Sequence, residues 1–298
     1  MRLLDVAPSQ RNDPRARLYI VDHVAPGEAI KRRIEVVNTT SAVAHVALYP
    51  AAAAISDGVF SVADGHTPND LSTWTSVTPG AIDVPAGGRV TAAVTVRVPL
   101  DAAPGEQYGA VWAEVSSAPT SPDGVIQINR VGVRMYVSAG PGGAPAADFT
   151  IDSLTAKRLP DGRPVVEAAV HNTGGRALDM SGTLQLVDEA GGLNAGPYPA
   201  KLGVTLAVAA TEPVTIVLDE KLPAGPWDAA ITLRSGLIER TVRAVVTFPT
   251  LGAAKPVLPT TSDPRSLAPI VVALVGLLLS LVAGAALLRW RFRRGIEV

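Results

Sequence analysis

The chain has 298 residues, a formal net charge of −1 and no cysteine. It has no domain-wide basic field to neutralise a phosphate backbone, which excludes nucleic-acid binding. Without cysteine, disulfides and thiolate metal sites are excluded too. Short runs rich in valine and threonine, punctuated by 25 prolines, favour strands and turns over helices. The composition therefore predicts an all-β protein.

The first block of predicted strands covers residues 1–138. Within residues 90–98, valine and alanine alternate with threonine, alanine and arginine, and this period of two is typical of a half-buried strand. Several such strands separated by turns are typical of a β-sandwich. We therefore expect an N-terminal Ig-like sandwich.

A Gly/Pro/Ala linker at 139–147 precedes a second strand-rich block at 148–248. The two blocks share a plan. Residues 34–49 (IEVVNTTSAVAHVALY) and 166–186 (VEAAVHNTGGRALDMSGTLQL) each place a strand ending in Asn-Thr before a small-residue turn and another strand. Such turns favour Gly or Asn. The sequence therefore predicts two Ig-like sandwich domains in tandem.

The C-terminal part of the sequence predicts a membrane anchor. Residues 249–266 are rich in proline and predict an extended stalk, of which residues 249–264 would span up to ~50 Å in polyproline geometry. Residues 267–288 carry no charge. As a helix, at ~1.5 Å per residue, they reach ~33 Å, which exceeds the ~30 Å hydrocarbon core of a bilayer. We expect one transmembrane helix here, with the β-rich part as an ectodomain.

The residues after this helix give its direction. They form a basic tail at 289–298 that contains Arg289, Arg291, Arg293 and Arg294. The positive-inside rule places this tail in the cytoplasm and the N-terminal domains outside. Residues 1–5 lack the apolar region of a signal peptide, so we expect that an export signal is missing from this sequence. Insertion tail-first is the alternative.

Three small residues of the predicted helix, Gly276, Ser280 and Gly284, are spaced four apart. They share one helix face, and small residues at that spacing let two helices approach closely. One interpretation is a homodimer through this face. The other is that small residues are simply common in membrane helices.

The sequence contains no pattern that indicates catalysis, a cofactor or a metal. Its histidines are isolated from one another and from carboxylate pairs: His23, His45, His66 and His171. Nucleophile elbows, P-loops and dinucleotide fingerprints are absent. A Ser-His-Asp arrangement could be assembled from loops, but no spacing supports it. We therefore predict no catalytic, cofactor-binding or metal-binding residue, and a protein that is not an enzyme.

A few aromatic residues are candidate ligand contacts. Tyr108 and Trp112 share one face of a predicted strand, and Trp74 is the third candidate. Exposed aromatic rings could stack on sugars, whereas in β-sandwiches such residues more often fill the core. Both interpretations remain open from the sequence.

Four segments carry a resemblance to a known family. They are YIVDHVAPGEAIKRRIEVVNTT (19–40), ALYPAAAAISDGVF (47–60), LSTWTSV (71–77) and PLDAAPGEQYGAVWAEV (99–115). They resemble the DUF916 domain, also called the peptidoglycan-binding domain of WxL-interacting cell-surface proteins. That family combines this domain with a second Ig-like domain, a membrane helix and a basic tail. Arginine outnumbers lysine 21 to 5, so the chain resembles an actinobacterial member.

The resemblance implies a non-enzymatic, membrane-anchored cell-surface protein. Its tandem sandwich modules would bind the cell wall, through peptidoglycan, or partner surface proteins. The alternative is a chaperone-like or accessory subunit of an exported-protein or envelope assembly complex. The wall-binding modules would use sheet faces and exposed edges, since edge strands offer unpaired backbone groups, and the chaperone-like alternative would act by strand donation.

Overall fold

A computed structural model describes residues 1–117, 125–188 and 192–261. The predicted transmembrane helix, its packing face and the basic tail all lie outside these residues. Within the described part, no helix has the length and hydrophobicity needed to cross a membrane. The described elements are almost all strands, which confirms the all-β, sandwich-like prediction.

The first sandwich pairs two antiparallel-rich sheets. One has the strand order β1-β3-β8-β6, and the other has the order β2-β10-β9-β4-β5, with β7 also paired to β4. In chain order the strands are β1 (Arg2–Leu3), β2 (Ile20–Val24), β3 (Ala29–Val37), β4 (Ala44–Ser56), β5 (Val59–Val62), β6 (Thr75–Thr78), β7 (Ala81–Val84), β8 (Arg89–Arg97), β9 (Gly105–Ser116) and β10 (Ile128–Ala139). Two 3-10 turns (Pro8–Gln10, Pro14–Arg17) and one helix, α1 (Asp70–Trp74), interrupt them.

The core of this sandwich lies between its two sheets. Ala92, Val94 and Val96 of β8 are almost completely buried, as the alternation of their strand predicted. They pack in one cluster with Val133 and Met135 of the opposite sheet. Each strand thus contributes every second side chain to the core, because successive side chains of a strand point to opposite faces.

The second sandwich has its own core and its own pair of sheets. The sheet orders are β17-β12-β11-β20 and β15-β14-β18-β19-β21, and β13 and β16 form a separate ribbon. In chain order the strands are β11 (Phe149–Arg158), β12 (Pro164–Asn172), β13 (Leu178–Asp179), β14 (Ser181–Asp188), β15 (Asn194–Pro199), β16 (Thr205–Leu206), β17 (Thr211–Val217), β18 (Trp227–Ser235), β19 (Ile238–Val246), β20 (Gly252–Ala253) and β21 (Thr260–Thr261). Trp227 is buried in this core and donates through its indole nitrogen to the carbonyl of Pro223.

The shared sequence plan has a shared structural cause. Asn38 and Asn172 are both buried at the ends of corresponding strands. Each donates its side-chain amide to the carbonyl four residues later, at 2.7 Å from Asn38 and 2.9 Å from Asn172. Each also accepts at 3.0 Å from the backbone N–H two residues later. The asparagine side chain thereby forms hydrogen bonds with backbone groups of a tight turn that form none with a neighbouring strand.

Two segments differ from the sequence-based expectation. The predicted linker at 139–147 is ordered at its end, where Gly175 N–H donates to the Ala146 carbonyl at 2.8 Å. The predicted free stalk also pairs with the second sandwich: Leu154 and Val257 exchange two backbone hydrogen bonds, of 2.9 and 3.0 Å. Proline has no backbone N–H to donate to a neighbouring strand, but it is tolerated at sheet edges. The residues between the prolines can therefore pair with the edge strand β11. We call residues 252–261 the strap.

Candidate functional site

The three aromatic residues predicted as ligand contacts are all half-buried and do not share one surface. Trp74 packs against the core between the sheets. Tyr108 and Trp112 lie on the outer face of β9, as their spacing predicted. Tyr108 meets Phe60 and Tyr136 in a second apolar cluster. A ligand role for these three residues stays a prediction.

Trp112 is partly covered from above and below. The guanidinium of Arg130 lies 5.1 Å from its ring centroid. Beneath it lies Gly132, where an added Cβ atom would stand 2.8 Å from the indole ring. Glycine is thus required for the close approach of the ring to the strand.

One exposed pocket brings a histidine and a carboxylate together. His45 Nδ1 lies 2.6 Å from Asp83 Oδ1, and Ser116 lines the same pocket of about 530 Å³. Both His45 and Asp83 are largely exposed, so water screens their interaction. Within the described residues, no hydrogen bond joins Ser116 to His45, and no group of three or more His, Cys, Asp or Glu side chains could hold a metal ion. The pocket therefore lacks the linked nucleophile and base of a hydrolase.

A buried polar network joins the first sandwich to the second. Asp13 caps the second 3-10 turn by accepting from the Arg15 N–H. The Arg15 side chain then reaches across, donating to Asp179 Oδ2 and to the Ala177 carbonyl, each at 2.8 Å. Asp179 also accepts from the Tyr136 hydroxyl at 3.0 Å. Hydrogen bonds to charged groups are among the stronger ones in proteins.

The same junction holds a buried carboxyl group. Glu106 accepts a 2.5 Å hydrogen bond from the Ala177 N–H. Burial raises the pKa of Glu106, and the Ala177 hydrogen bond and the nearby Arg15 charge oppose that rise. The pKa of Tyr108 is raised by burial first and by the charge of Glu106 second. Desolvation thus dominates the pKa values of these two acidic groups.

The route of residues 4–19 into this junction leaves part of a sheet edge uncovered. Strand β2 pairs in parallel with β10 only from Met135 to Ala139. The residues before β2 turn away as the 3-10 turn that carries Arg15. Within the described part of the chain, no strand pairs with the outer side of residues 128–133. We call these residues the open edge.

The register of β10 shows which of its backbone groups are free. Gln127 directs its carbonyl toward β9, where it accepts from Ser117 N–H at 2.9 Å. Successive residues of a strand direct their backbone groups to opposite sides, and β9 pairs with β10 without a register shift. The N–H and C=O groups of Ile128, Arg130 and Gly132 therefore point away from β9, toward the open edge.

An apolar groove lies beside the open edge. Val131 occupies the same inward face as Val133, yet it is 54% exposed whereas Val133 is 3% exposed. The groove has a volume of about 600 Å³. Its aliphatic lining includes Met1, Val36, Val37, Val43, Val115 and Val131. The sandwich is thus open between its sheets at this point, where a closing strand would cover the inward side chains.

The second sandwich shows how such a gap is closed. Its edge strands β11 and β19 are bridged by the strap, which pairs with β11 through β20 and places β21 beside β19. Ala254 and Val257 of the strap pack against the core. In the first sandwich, β1 on β3 and β2 on β10 cover only parts of the corresponding edges.

Comparisons with known proteins give a likeness of fold only. No protein-family model and no curated protein matches the sequence. Solved chaperone structures are similar in arrangement. The Pseudomonas aeruginosa CupB2 chaperone has 12% identity and a TM-score of 0.41, covering 76% of this chain and 97% of that one. The Salmonella enterica SafB chaperone, in complex with the SafA pilin, has 11% identity and a TM-score of 0.40, covering 82% and 93%.

The E. coli chaperone DraB has 13% identity and a TM-score of 0.38, covering 82% of this chain and 94% of that one. At such low identities and TM-scores the likeness does not extend to a function. The function of this chain has to be argued from its own open edge and groove.

Sequence reasoning missed the residues that build this site. It did not identify Val131 as exposed or Arg15 as the residue that holds the neighbouring segment at the junction. One signal was present: Val125, Ile126, Ile128 and Val131 place four apolar residues in a seven-residue run. Such a run is expected to be buried, and exposed apolar surface usually marks an interaction site.

Proposed function

We propose that this protein binds an extended segment of a partner polypeptide by strand addition at the open edge, as a chaperone-like or accessory factor for an exported protein. The observation that carries the proposal is the exposure of Val131, an inward-facing side chain beside unpaired backbone groups. Strand addition uses main-chain hydrogen bonds for affinity and pockets for alternate side chains for specificity. The open edge offers both.

An ordinary guarded sheet edge is the competing interpretation. Proteins protect edge strands with charges and short lengths, and Arg130 is an outward charge on this edge. A guarded edge, however, normally covers an intact core. Here the inward-facing Val131 is exposed as well. Part of the hydrophobic core is therefore uncovered, in addition to the unpaired backbone groups of the edge strand. That difference favours a site built for an occupant.

Backbone and side chains contribute differently to the binding. Each new main-chain hydrogen bond contributes roughly 0.5–1.5 kcal/mol net. Burial of the valines in the groove adds roughly 25 cal/mol per Å² of apolar surface. The backbone hydrogen bonds do not depend on the sequence of the bound segment. Differences in affinity between segments therefore come from the side chains that enter the groove.

The predicted anchor gives this site a location. A transmembrane helix at 267–288 with its basic tail in the cytoplasm would place the open edge outside the cell, beside other exported proteins. This membrane topology remains a proposal, as does the peptidoglycan binding implied by the DUF916 resemblance. The proposed mode requires no catalytic residue, cofactor or metal.

Hydrogen exchange tests the proposal at single residues. The full-length protein is mixed with a nine-residue peptide that alternates threonine and valine, and amide exchange is followed by NMR. The amides of Ile128, Arg130 and Gly132 are expected to exchange fast alone and at least tenfold more slowly with peptide. The amides of Asn129 and Val131, already paired with β9, serve as internal controls. Unchanged exchange at the three edge amides would contradict the proposal.

A matched pair of variants tests the backbone directly. Arg130→Pro removes an N–H that points to the open edge and leaves the β9 ladder intact, whereas Arg130→Ala removes only the side chain. We expect Arg130→Pro to weaken peptide binding at least tenfold relative to Arg130→Ala. A different result would favour the cell-wall function: both variants bind purified peptidoglycan, and neither variant binds the peptide.

A further inference from the structure

We infer that the segment bound at the open edge carries β-branched aliphatic side chains at its inward positions and a carboxylate at the outward position beside Arg130. This inference rests on the proposed strand addition and specifies the partner's chemistry. It follows from the groove lining, from the strap in the second sandwich, and from the surroundings of Arg130.

The groove selects aliphatic side chains by its lining. Most of its walls are aliphatic, and four of its valines, Val37, Val43, Val115 and Val131, are at least 36% exposed. Polar residues line part of it, but the Asn38 amide already donates to the Ala42 and Val84 carbonyls, the Thr40 hydroxyl donates to Asn38, and His45 is paired with Asp83. A charged inward side chain would thus lose its hydration against mostly aliphatic walls, which costs free energy.

The strap supplies an example of a segment that closes such a gap. Its inward residues are Ala254 and Val257, and both pack against the second core. Its outward residue Leu258 is 86% exposed. Small and β-branched residues thus suit the narrow space between two sheet edges, where an aromatic ring would force the sheets apart.

Arg130 determines which side chain is favoured at the outward position of the bound segment. Its guanidinium lies over Trp112 and donates one long hydrogen bond, of 3.4 Å, to the Gly65 carbonyl. Glu114 lies directly opposite it on β9, but that carboxylate accepts from the Tyr49 hydroxyl. Within the described residues Arg130 forms no salt bridge, although a guanidinium has five N–H donors. Its neighbour Arg134, in contrast, already lies 3.5 Å from Asp179. Opposite charges on adjacent strands attract each other, so an added strand gains from a carboxylate beside Arg130.

Four peptides test this chemistry on the full-length protein. The parent alternates threonine and valine over nine residues, with glutamate in place of the central threonine. The second replaces the two central valines by aspartate, the third replaces them by phenylalanine, and the fourth replaces the glutamate by lysine. Kd is measured by fluorescence anisotropy at low salt.

We expect the aspartate peptide to bind at least tenfold more weakly than the parent and the phenylalanine peptide at least threefold more weakly. The lysine peptide should bind several-fold more weakly, and Arg130→Gln should abolish that difference. Val131→Asp should weaken the binding of the parent peptide at least tenfold. Val245→Asp, at a similarly exposed valine of the second sandwich, should leave Kd unchanged.

The outcomes separate the two proposals. Equal affinity for the parent and the aspartate peptide, or for the glutamate and lysine peptides, would overturn the inferred chemistry. If slowed exchange at Ile128, Arg130 and Gly132 accompanied that result, strand addition itself would stand. If no peptide bound and none slowed exchange at these amides, both proposals would fall.

Discussion

Arg15 and Asp179 form a 2.8 Å ion pair between side chains separated by 164 residues in sequence. Their side chains are only 9% and 21% exposed. The pair holds the 3-10 turn of Arg15 against the second sandwich, and the strand that follows this turn, β2, pairs with β10 from Met135 onward. The segment before β2 is thus fixed at the domain junction and does not lie along the open edge.

Removing one partner of this pair should lower the stability of the folded protein. Asp179→Ala removes the carboxylate that is ion-paired with a buried guanidinium, and such changes lower the free energy of unfolding by about 3–5 kcal/mol. Urea unfolding followed by circular dichroism measures the effect. The double variant Arg15→Met with Asp179→Leu should recover most of the loss, because well-packed apolar residues replace buried pairs at little cost.

An exposed pair gives the control for this prediction. Arg163 and Asp161 lie 2.7 Å apart with half of each side chain exposed. Asp161→Ala should leave the unfolding midpoint unchanged, since water screens surface pairs. An equal shift of the midpoint in Asp161→Ala and Asp179→Ala would show that burial of the junction does not matter.

The buried carboxyl group predicts a pH dependence. Burial raises the pKa of Glu106 in the folded state, so the folded protein holds this proton more tightly than the unfolded chain does. Its contribution to stability is then fully present below the unfolded pKa and is lost as pH rises through the raised folded pKa. Glu106→Gln should remove this loss, so its stability relative to wild type should increase from pH 4 to pH 8. A constant difference between the two proteins across this range would refute the prediction.

The contact between Gly132 and Trp112 predicts a specific steric effect. Gly132→Ala would place a methyl group 2.8 Å from the indole ring, and overpacking of this kind costs about 1–3 kcal/mol. Denaturant titration with tryptophan fluorescence reports both stability and displacement of the ring. Gly143→Ala, with no atom within 4 Å of its new Cβ, is the control. Trp112→Ala should relieve the strain in the Gly132→Ala background.

The two buried asparagines predict equal effects in the two sandwiches. Asn38→Ala and Asn172→Ala each leave buried backbone carbonyls without a donor, at a cost of about 1–3 kcal/mol. Thermal unfolding of each variant measures this, and Asn194→Ala, at an exposed position, should have little effect. A large effect at only one of the two sites would mean that the turns are not equivalent.

Local patterns were sufficient for much of the fold. The alternation around Val94 predicted a half-buried strand because it depends only on neighbouring residues. The repeated Asn-Thr before a turn pointed to Asn38 and Asn172 as corresponding positions, since the hydrogen bonds of each asparagine reach residues only two and four positions away.

The candidate site could not be predicted in the same way. Whether Val131 is exposed depends on where residues 4–19 go, and that depends on a partner as distant as Asp179. The strap posed a similar problem. Its prolines predicted an extended stalk, but the pairing of Val257 with Leu154 depends on an edge about 100 residues earlier.

The strap also determines how the described chain would respond to mechanical tension. It is held to β11 by a few backbone hydrogen bonds, including those between Val257 and Leu154 and between Ala254 and Ala156. A pull on the chain beyond Thr260 would load these bonds one after another, from the C-terminal end. The strap would therefore detach before the longer central strands yield, and the second core would lose the cover of Val257 first.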